Sequence, residues 1–119
     1  MNLKDYQLFC KEIALPQDDK EKEIMTWGLG VAGEAGDIAG CIKKTLAHKD
    51  DQIAGIKENL GDTMWYIAMI CNYYGWSLDE VITENVMKLK KRYPNGPTFE
   101  DAAKRKRIDW NEKQKNKNN

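Results

Sequence analysis

The sequence predicts an all-α fold: an antiparallel bundle of four main helices plus a short C-terminal helix, completed by oligomerisation. Three observations predict it. Prolines stand only at 16, 94 and 97, so nothing between 17 and 93 forbids long helices. Two long stretches repeat apolar residues at spacings of three and four, the signature of a helix face. No segment alternates apolar and polar residues for long enough to make a strand. Long helices with short connections pack as bundles. The chain has 119 residues, 41% of them apolar. A domain of that size buries only about 65% of its unfolded surface. A dimer or tetramer is the simplest way to cover the remaining apolar stripe.

Leu3, Tyr6, Phe9, Cys10 and Ile13 share one side of a first helix over 3–14, which Leu15-Pro16-Gln17-Asp18-Asp19 ends. A second helix runs from about 20 to 46. Its apolar positions Ile24, Gly28, Val31, Ala35, Ile38 and Ile42 are spaced 4, 3, 4, 3, 4. His48-Lys49-Asp50-Asp51 is the next break. A third helix over about 52–74 carries Ile53, Ile56, Leu60, Met64, Ile67, Cys71 and Tyr74 and stops at Gly75-Trp76. Ser77 and Glu80 form a capping box that opens a fourth helix reaching about 92. Val81, Ile82, Val86 and Leu89 are its apolar side. Tyr93-Pro94-Asn95-Gly96-Pro97 is a turn, and Thr98 with Asp101 caps a short helix over 99–107. The helical domain is expected to span 1–107, leaving 108–119 as a basic, disordered tail.

The 19 basic and 19 acidic side chains cancel overall but not locally. Residues 104–119 hold seven basic groups and two acids, so residues 1–103 carry twelve against seventeen. The tail reads as solvated and frayed, and nucleic acid is not the expected partner. No apolar run approaches the ~20 residues of a membrane span. Met1-Asn2-Leu3-Lys4-Asp5 lacks the basic-then-apolar profile of a secretory signal. Cys10, Cys41 and Cys71 are odd in number and have no CxxC spacing, which argues against a disulfide framework or a zinc ribbon. Each reads as a small buried apolar residue. The expected compartment is a reducing cytoplasm.

Gly28-Leu29-Gly30-Val31-Ala32-Gly33 spells G-x-G-x-x-G, but a charged helix precedes it where a dinucleotide loop needs a strand. Five glycines, at 28, 30, 33, 36 and 40, still lie within one helix. Each costs roughly 1 kcal/mol against alanine. Close approach of another helix, or of a ligand, is the physical use for the missing side chains.

Acids inside these apolar stretches carry the chemistry. Glu34 and Asp37 lie three apart on the second helix, and Glu58 and Asp62 four apart on the third, so each pair shares a helix face. Asp62 precedes the apolar run Met64-Trp65-Tyr66-Ile67-Ala68-Met69-Ile70, where an unpaired buried carboxylate would be expensive. Carboxylates brought together by two helices repel one another unless a cation sits between them. Hard oxygen donors suit Mg²⁺, with Mn²⁺ as a substitute. The single histidine, His48, lies in a loop, which excludes a histidine-rich zinc site. Ion pairs with Lys43, Lys44, Lys57 or Lys88 are the alternative, and the residues alone leave both open. On the fourth helix, Asn85, Lys88 and Arg92 fall at i, i+3 and i+7. Lys and Arg bind phosphates through charge-assisted hydrogen bonds. Trp27, Trp65, Tyr66 and Tyr73 offer either a stacking surface for a base or ordinary core packing.

On these residues the chain resembles the MazG-like nucleoside triphosphate pyrophosphohydrolases, an all-helical superfamily. Its pattern is two acids, two spacer residues and a further acid on one helix, followed by Glu-x-x-Asp on the next. Gly33-Glu34-Ala35-Gly36-Asp37 resembles the first half, and Asn59-Leu60-Gly61-Asp62 the second. Asn85-x-x-Lys88-Leu89-x-x-Arg92-Tyr93-Pro94 and Phe99-Glu100-Asp101-Ala102 extend the likeness over about 3–107. The resemblance implies hydrolysis of a nucleoside triphosphate to the monophosphate and pyrophosphate. It implies Mg²⁺ held by Glu34, Asp37 and Asp62, with Asn59 where the pattern has a ligating Glu. An amide oxygen can ligate but brings no charge. Glu34 or Glu58 would orient or deprotonate the attacking water beside Asp62. Lys88 and Arg92 would steady the phosphates, and Trp27, Lys44, Tyr66, Asn85 and Arg105 complete the implied substrate-binding set. A non-catalytic nucleotide- or metal-binding module weakened at Asn59 is the first alternative. A structural interaction protein is the second.

Overall fold

The computed structural model describes residues 1–96 of the chain. Four helices make up most of them: α1 (Leu3–Ile13), α2 (Lys20–Ala47), α3 (Ile53–Tyr74) and α4 (Leu78–Arg92). Among the described residues there is no strand, and each helix boundary lies within one residue of the expected one. The helix expected over 99–107 and the tail over 108–119 lie outside the described residues. The chain divides between Leu78 and Asp79 into two compact units.

Local chemistry explains the helix ends of the first unit. The Asn2 side chain accepts the Asp5 N–H at 2.8 Å. Asp19 accepts the N–H groups of Glu21 and Lys22, filling two of the four orphan donors at the start of α2. The turn between α2 and α3 is closed by Thr45. Its hydroxyl donates to the Cys41 carbonyl at 2.8 Å and accepts the Gln52 N–H at 2.9 Å. Gly75, at φ 72°, ends α3 in the left-handed conformation that glycine adopts without strain, and Trp76 N–H returns to the Cys71 carbonyl.

The core consists of Cys10, Trp27, Ala68, Met69, Cys71 and Leu78, with Leu3, Tyr6, Ile24, Trp65 and Tyr66 packed around them. α3 is its central element, packed on both α2 and α1. One glutamine fastens α1. The Gln7 amide donates to Asn72 Oδ1 and to the Trp76 carbonyl, and its oxygen accepts the Leu78 N–H. Asn72 returns a bond to the Gln7 carbonyl. Cys10 and Cys71 are buried free thiols, and burial pushes both pKa values up, so they act as small apolar residues. Cys41 differs: it is only half-buried.

The inward face of α2 matches its apolar stripe only in part: Ile24, Val31 and Ile38 are half-buried, as expected. Gly28, Ala35 and Ile42 are exposed, whereas Trp27 is buried and Gly30, Glu34 and Cys41 are half-buried. Small residues at 28, 30, 32, 33, 35, 36, 39 and 40 run around the middle of the helix, so apolar spacing could not single out a face there. Large side chains reaching in from α3 do. A Cβ built on Gly30 would run into the Tyr66 ring, and Gly55 on α3 leaves room for the Cys41 thiol, 3.1 Å from where its Cβ would lie. Gly28, Gly33, Gly36 and Gly40 meet nothing within 4 Å. Close approach thus accounts for Gly30 among the five. G-x-G-x-x-G lies wholly inside α2.

In the second unit, α4 carries Asp79 and Glu80 in its first turn and Lys90, Lys91 and Arg92 in its last, each complementing the helix dipole. Tyr93 N–H donates to the Leu89 carbonyl and Gly96 N–H to the Tyr93 carbonyl, forming the turn expected there.

The glycines therefore separate by sign. Gly30→Ala should lose about 1–3 kcal/mol in urea unfolding, because overpacking against Tyr66 outweighs the better helix propensity. Gly28→Ala, which meets open space, should gain about 0.5–1 kcal/mol. Equal effects at the two positions would show that Tyr66 does not press on α2.

Candidate active site

The site grows from a matched spacing on two helices. On α2, Gly30, Glu34, Asp37 and Cys41 are spaced 4, 3, 4. On α3, Gly55, Asn59, Asp62 and Tyr66 repeat it. Each set lies along one helix face. Tyr66 lies over Gly30 at one end. At the other, Cys41 sits over Gly55, and the Asn59 amide donates to the Cys41 sulfur at 3.6 Å. With both ends pinned, Glu34 falls opposite Asp62 and Asp37 opposite Asn59.

The electrostatics agree with that register. The Glu34 carboxyl is pushed above its ordinary pKa, first by desolvation and then by the carboxylates of Asp62, Asp37 and Glu58, in that order. Asp62, across the helix pair, outweighs Asp37 one turn away on the same helix. The expected burial of Asp62 needs correction. Asp62, Asp37 and Glu58 are exposed and Glu34 is half-buried, so solvent reaches the carboxylates and they need no buried counter-charge. Pairing with the lysines of their own unit, Lys43, Lys44 or Lys57, is not made.

What faces the solvent is a set of hard oxygen donors: three or four carboxylates and the amide of Asn59. Such a set fits Mg²⁺ or Mn²⁺ and does not fit a soft or imidazole-seeking metal. Among the described residues, no three His, Cys, Asp or Glu side chains stand close enough together to hold an ion already.

α1 adds a residue that sequence reasoning had placed only in the core. The Tyr6 hydroxyl has its pKa pushed up to about 12, by burial first, then by its hydrogen bond and charge interaction with Cys10, and last by the charge of Asp62. Tyr6 also lines an apolar groove of about 430 Å³ with Met1, Asn2, Leu3, Gly61 and Met64, beside Asp62 on the chain.

The remaining expected residues are spread more widely. Trp27 is 95% buried, its ring set edge-on to Trp65 at 5.3 Å and tilted to Tyr66 at 6.3 Å. Among the described residues, its indole N–H has no hydrogen-bond acceptor. A buried ring offers no free face for stacking; Tyr66, half-buried and one turn beyond Asp62, is better placed. Lys44 is exposed on α2. In the second unit, Asn85 is exposed, and Lys88 and Arg92 are half-buried along α4. Arg105 lies outside the described residues. Sequence reading passed over Gly55 and gave Gly30 and Cys41 no place in the site, although the signal was present: they extend the acid spacing by one further step on either helix.

Residues 22–96 match the family model of the MazG nucleotide pyrophosphohydrolase domain. The match begins at the start of α2 and takes in every acid of the site and all of α4. The chain is also 38% identical over 73 residues to the gene 37 protein of Mycobacterium phage L5, an alignment covering 57% of this chain. It spans 64% of that relative's length. No solved structure matches the chain.

Because the folded pKa of Glu34 lies above its unfolded value, its ionisation opposes folding. The stability it contributes is complete below the unfolded pKa and is lost as pH rises through the folded one. Glu34→Gln should therefore raise the urea midpoint of the metal-free protein at about pH 7 and leave it unchanged at about pH 3. In Asp62→Asn, the Glu34 carboxyl should titrate lower by NMR. An unmoved titration would mean that these two acids do not face each other.

Proposed function

The chain belongs to the MazG nucleotide pyrophosphohydrolase domain family, and on that premise we propose that it hydrolyses nucleoside triphosphates to the monophosphate and pyrophosphate. The observation that carries this reading is the facing pair of acid-bearing helices. Glu34 feels Asp62, Asp37 and Glu58 at once, and none of these acids forms an ion pair with a lysine of its own unit.

Glu34, Asp37 and Asp62 would hold Mg²⁺, or Mn²⁺ in its place, with the Asn59 carbonyl as a neutral fourth donor. When bound, the ion would neutralise phosphate oxygens and polarise the phosphorus for attack. The side chains do the rest. Glu34 or Glu58 would orient a water and take its proton as its oxygen adds to the α-phosphorus. The bond from that phosphorus to the bridging oxygen breaks, and pyrophosphate leaves with the bond's electron pair. Lys88 and Arg92 would bind the phosphate oxygens as charge builds on them. Lys44 and Arg105 would add positive charge, and Tyr66 and Asn85 would place the nucleoside, while Trp27, expected to join them, stays in the core.

A homo-oligomer, dimer or tetramer, completes the proposed antiparallel bundle. Leu29 is 69% exposed, Leu46 76% and Ile53 62%, side chains that a second copy would cover. Among the described residues no helix is long and apolar enough to cross a membrane. A cytoplasmic place in nucleotide-pool housekeeping suits this chemistry.

The test is pyrophosphate release from each canonical and modified dNTP with Mg²⁺. Activity should vanish with EDTA and fall by ~100-fold or more in Asp62→Ala, the scale expected when several kcal/mol of charge stabilisation are lost. No product from any nucleotide would overturn the enzymatic reading. Asn59 favours one rival, a binding module that has lost turnover. Asn59→Glu separates the two. A large gain in hydrolysis would mark a weakened site, whereas a loss would show the amide is suited to its task.

A further inference from the structure

We propose that Cys41 is a positioning residue for Asn59: its thiol holds the amide N–H end and so leaves the carbonyl oxygen as the end offered to a cation between α2 and α3. This rests on the hydrolase reading above, but it concerns an interaction that the chain makes with no ligand present.

Three observations carry it. The Asn59 Nδ2 donates to the Cys41 sulfur across the two helices at 3.6 Å, and Asn59 Oδ1 accepts no hydrogen bond from any described residue. The thiol is itself held in place. It sits in the notch left by Gly55, one turn before Asn59 on α3, where a Cβ would come within 3.1 Å of it. Both residues then fall one step from the acids: Cys41 four residues beyond Asp37, Asn59 three before Asp62.

The chemistry explains why this matters. A primary amide has a donor end and an acceptor end. Beside carboxylates, the donor end is the one attracted. An NH₂ group directed at Asp37 or Asp62 would occupy the oxygens that a cation needs and place partial positive charge where the cation belongs. Sulfur is a weak, uncharged acceptor. It engages the NH₂ end without adding charge or a competing hard ligand. A carboxylate at position 59 would need no such device, because both its ends are acceptors. Residues that orient metal ligands in this way typically change affinity by ~10–100-fold when removed.

Mn²⁺ serves as the probe, its binding read from the EPR signal of the free ion in full-length protein without nucleotide. Cys41→Ala should weaken binding by ~10-fold. In an Asn59→Asp background the same change should matter by less than ~2-fold, the coupling expected when one residue acts only through the other. Cys41→Ser, which keeps an acceptor of similar size, should retain most of the affinity, and it carries the comparison if the alanine variant unfolds. The Asn59 side-chain NH₂ resonances give a readout that needs no metal: they should move to solvent-exposed positions in Cys41→Ala. An equal loss of Mn²⁺ affinity in both backgrounds, or unmoved NH₂ resonances, overturns the proposal and leaves the hydrolase reading intact. Wild-type protein that binds no Mn²⁺ overturns the ion-holding part of both.

Discussion

Everything in the first unit depends on how closely α2 and α3 can approach, and two glycines set that distance. Gly30 admits the Tyr66 ring and Gly55 admits the Cys41 thiol. These notches lie at opposite ends of the acid-bearing stretch, so they fix register as well as separation. A slip by one residue would turn every side chain about 100° around its helix and scatter the acids. The alignment of Glu34 with Asp62 is thus a by-product of apolar packing at positions that bear no charge.

That packing works against repulsion. Carboxylates facing each other across a helix pair disfavour the folded chain, as the raised pKa of Glu34 records. The counterweight sits one turn away. Trp27 and Tyr66 each stand edge-on to Trp65, at 5.3 and 5.1 Å, and tilt against each other at 6.3 Å. Buried aromatic side chains contribute roughly 1.5–3 kcal/mol each through burial, with ~0.5–1.5 kcal/mol more per favourably oriented pair. The aromatics that invited a base-stacking reading therefore have a prior structural task. α1 reinforces the same end of the molecule through the Gln7 bonds to Asn72, Trp76 and Leu78, although it lies outside the residues matched by the family model.

Helix existence and limits were legible because proline placement and caps act locally; Asp19 and Gly75 do in the structure what their residue types suggest. That the acids of each helix share a face was legible from their spacing alone, but the burial cost expected of them does not apply, because solvent reaches them. The face of α2 was legible only in part, through Ile24, Val31 and Ile38. Gly28, Ala35 and Ile42 continue an apolar period as well as Trp27, Gly30 and Cys41 do, and only the partner helix distinguishes them. Asp62 was expected to be buried because apolar residues follow it, but on a helix the residues after it turn away while it stays in solvent. Tyr6 could not be assigned to the site from its own helix, since its link to Asp62 arises only when α1 packs on α3.

The matched spacing on α2 and α3 also links folding to binding. Both helices offer a glycine, then an oxygen donor, then an aspartate, then a side chain that fills the other's notch. Contacts at the notches close the two ends, while the middle carries the facing acids. A cation accepted in that middle would bind the folded chain and not the unfolded one, and would stabilise it by RT ln(1 + [L]/Kd). It would then complete the helix interface as well as serve the chemistry. On this view the exposed acids are the unfinished central layer of an interface whose outer layers are already packed.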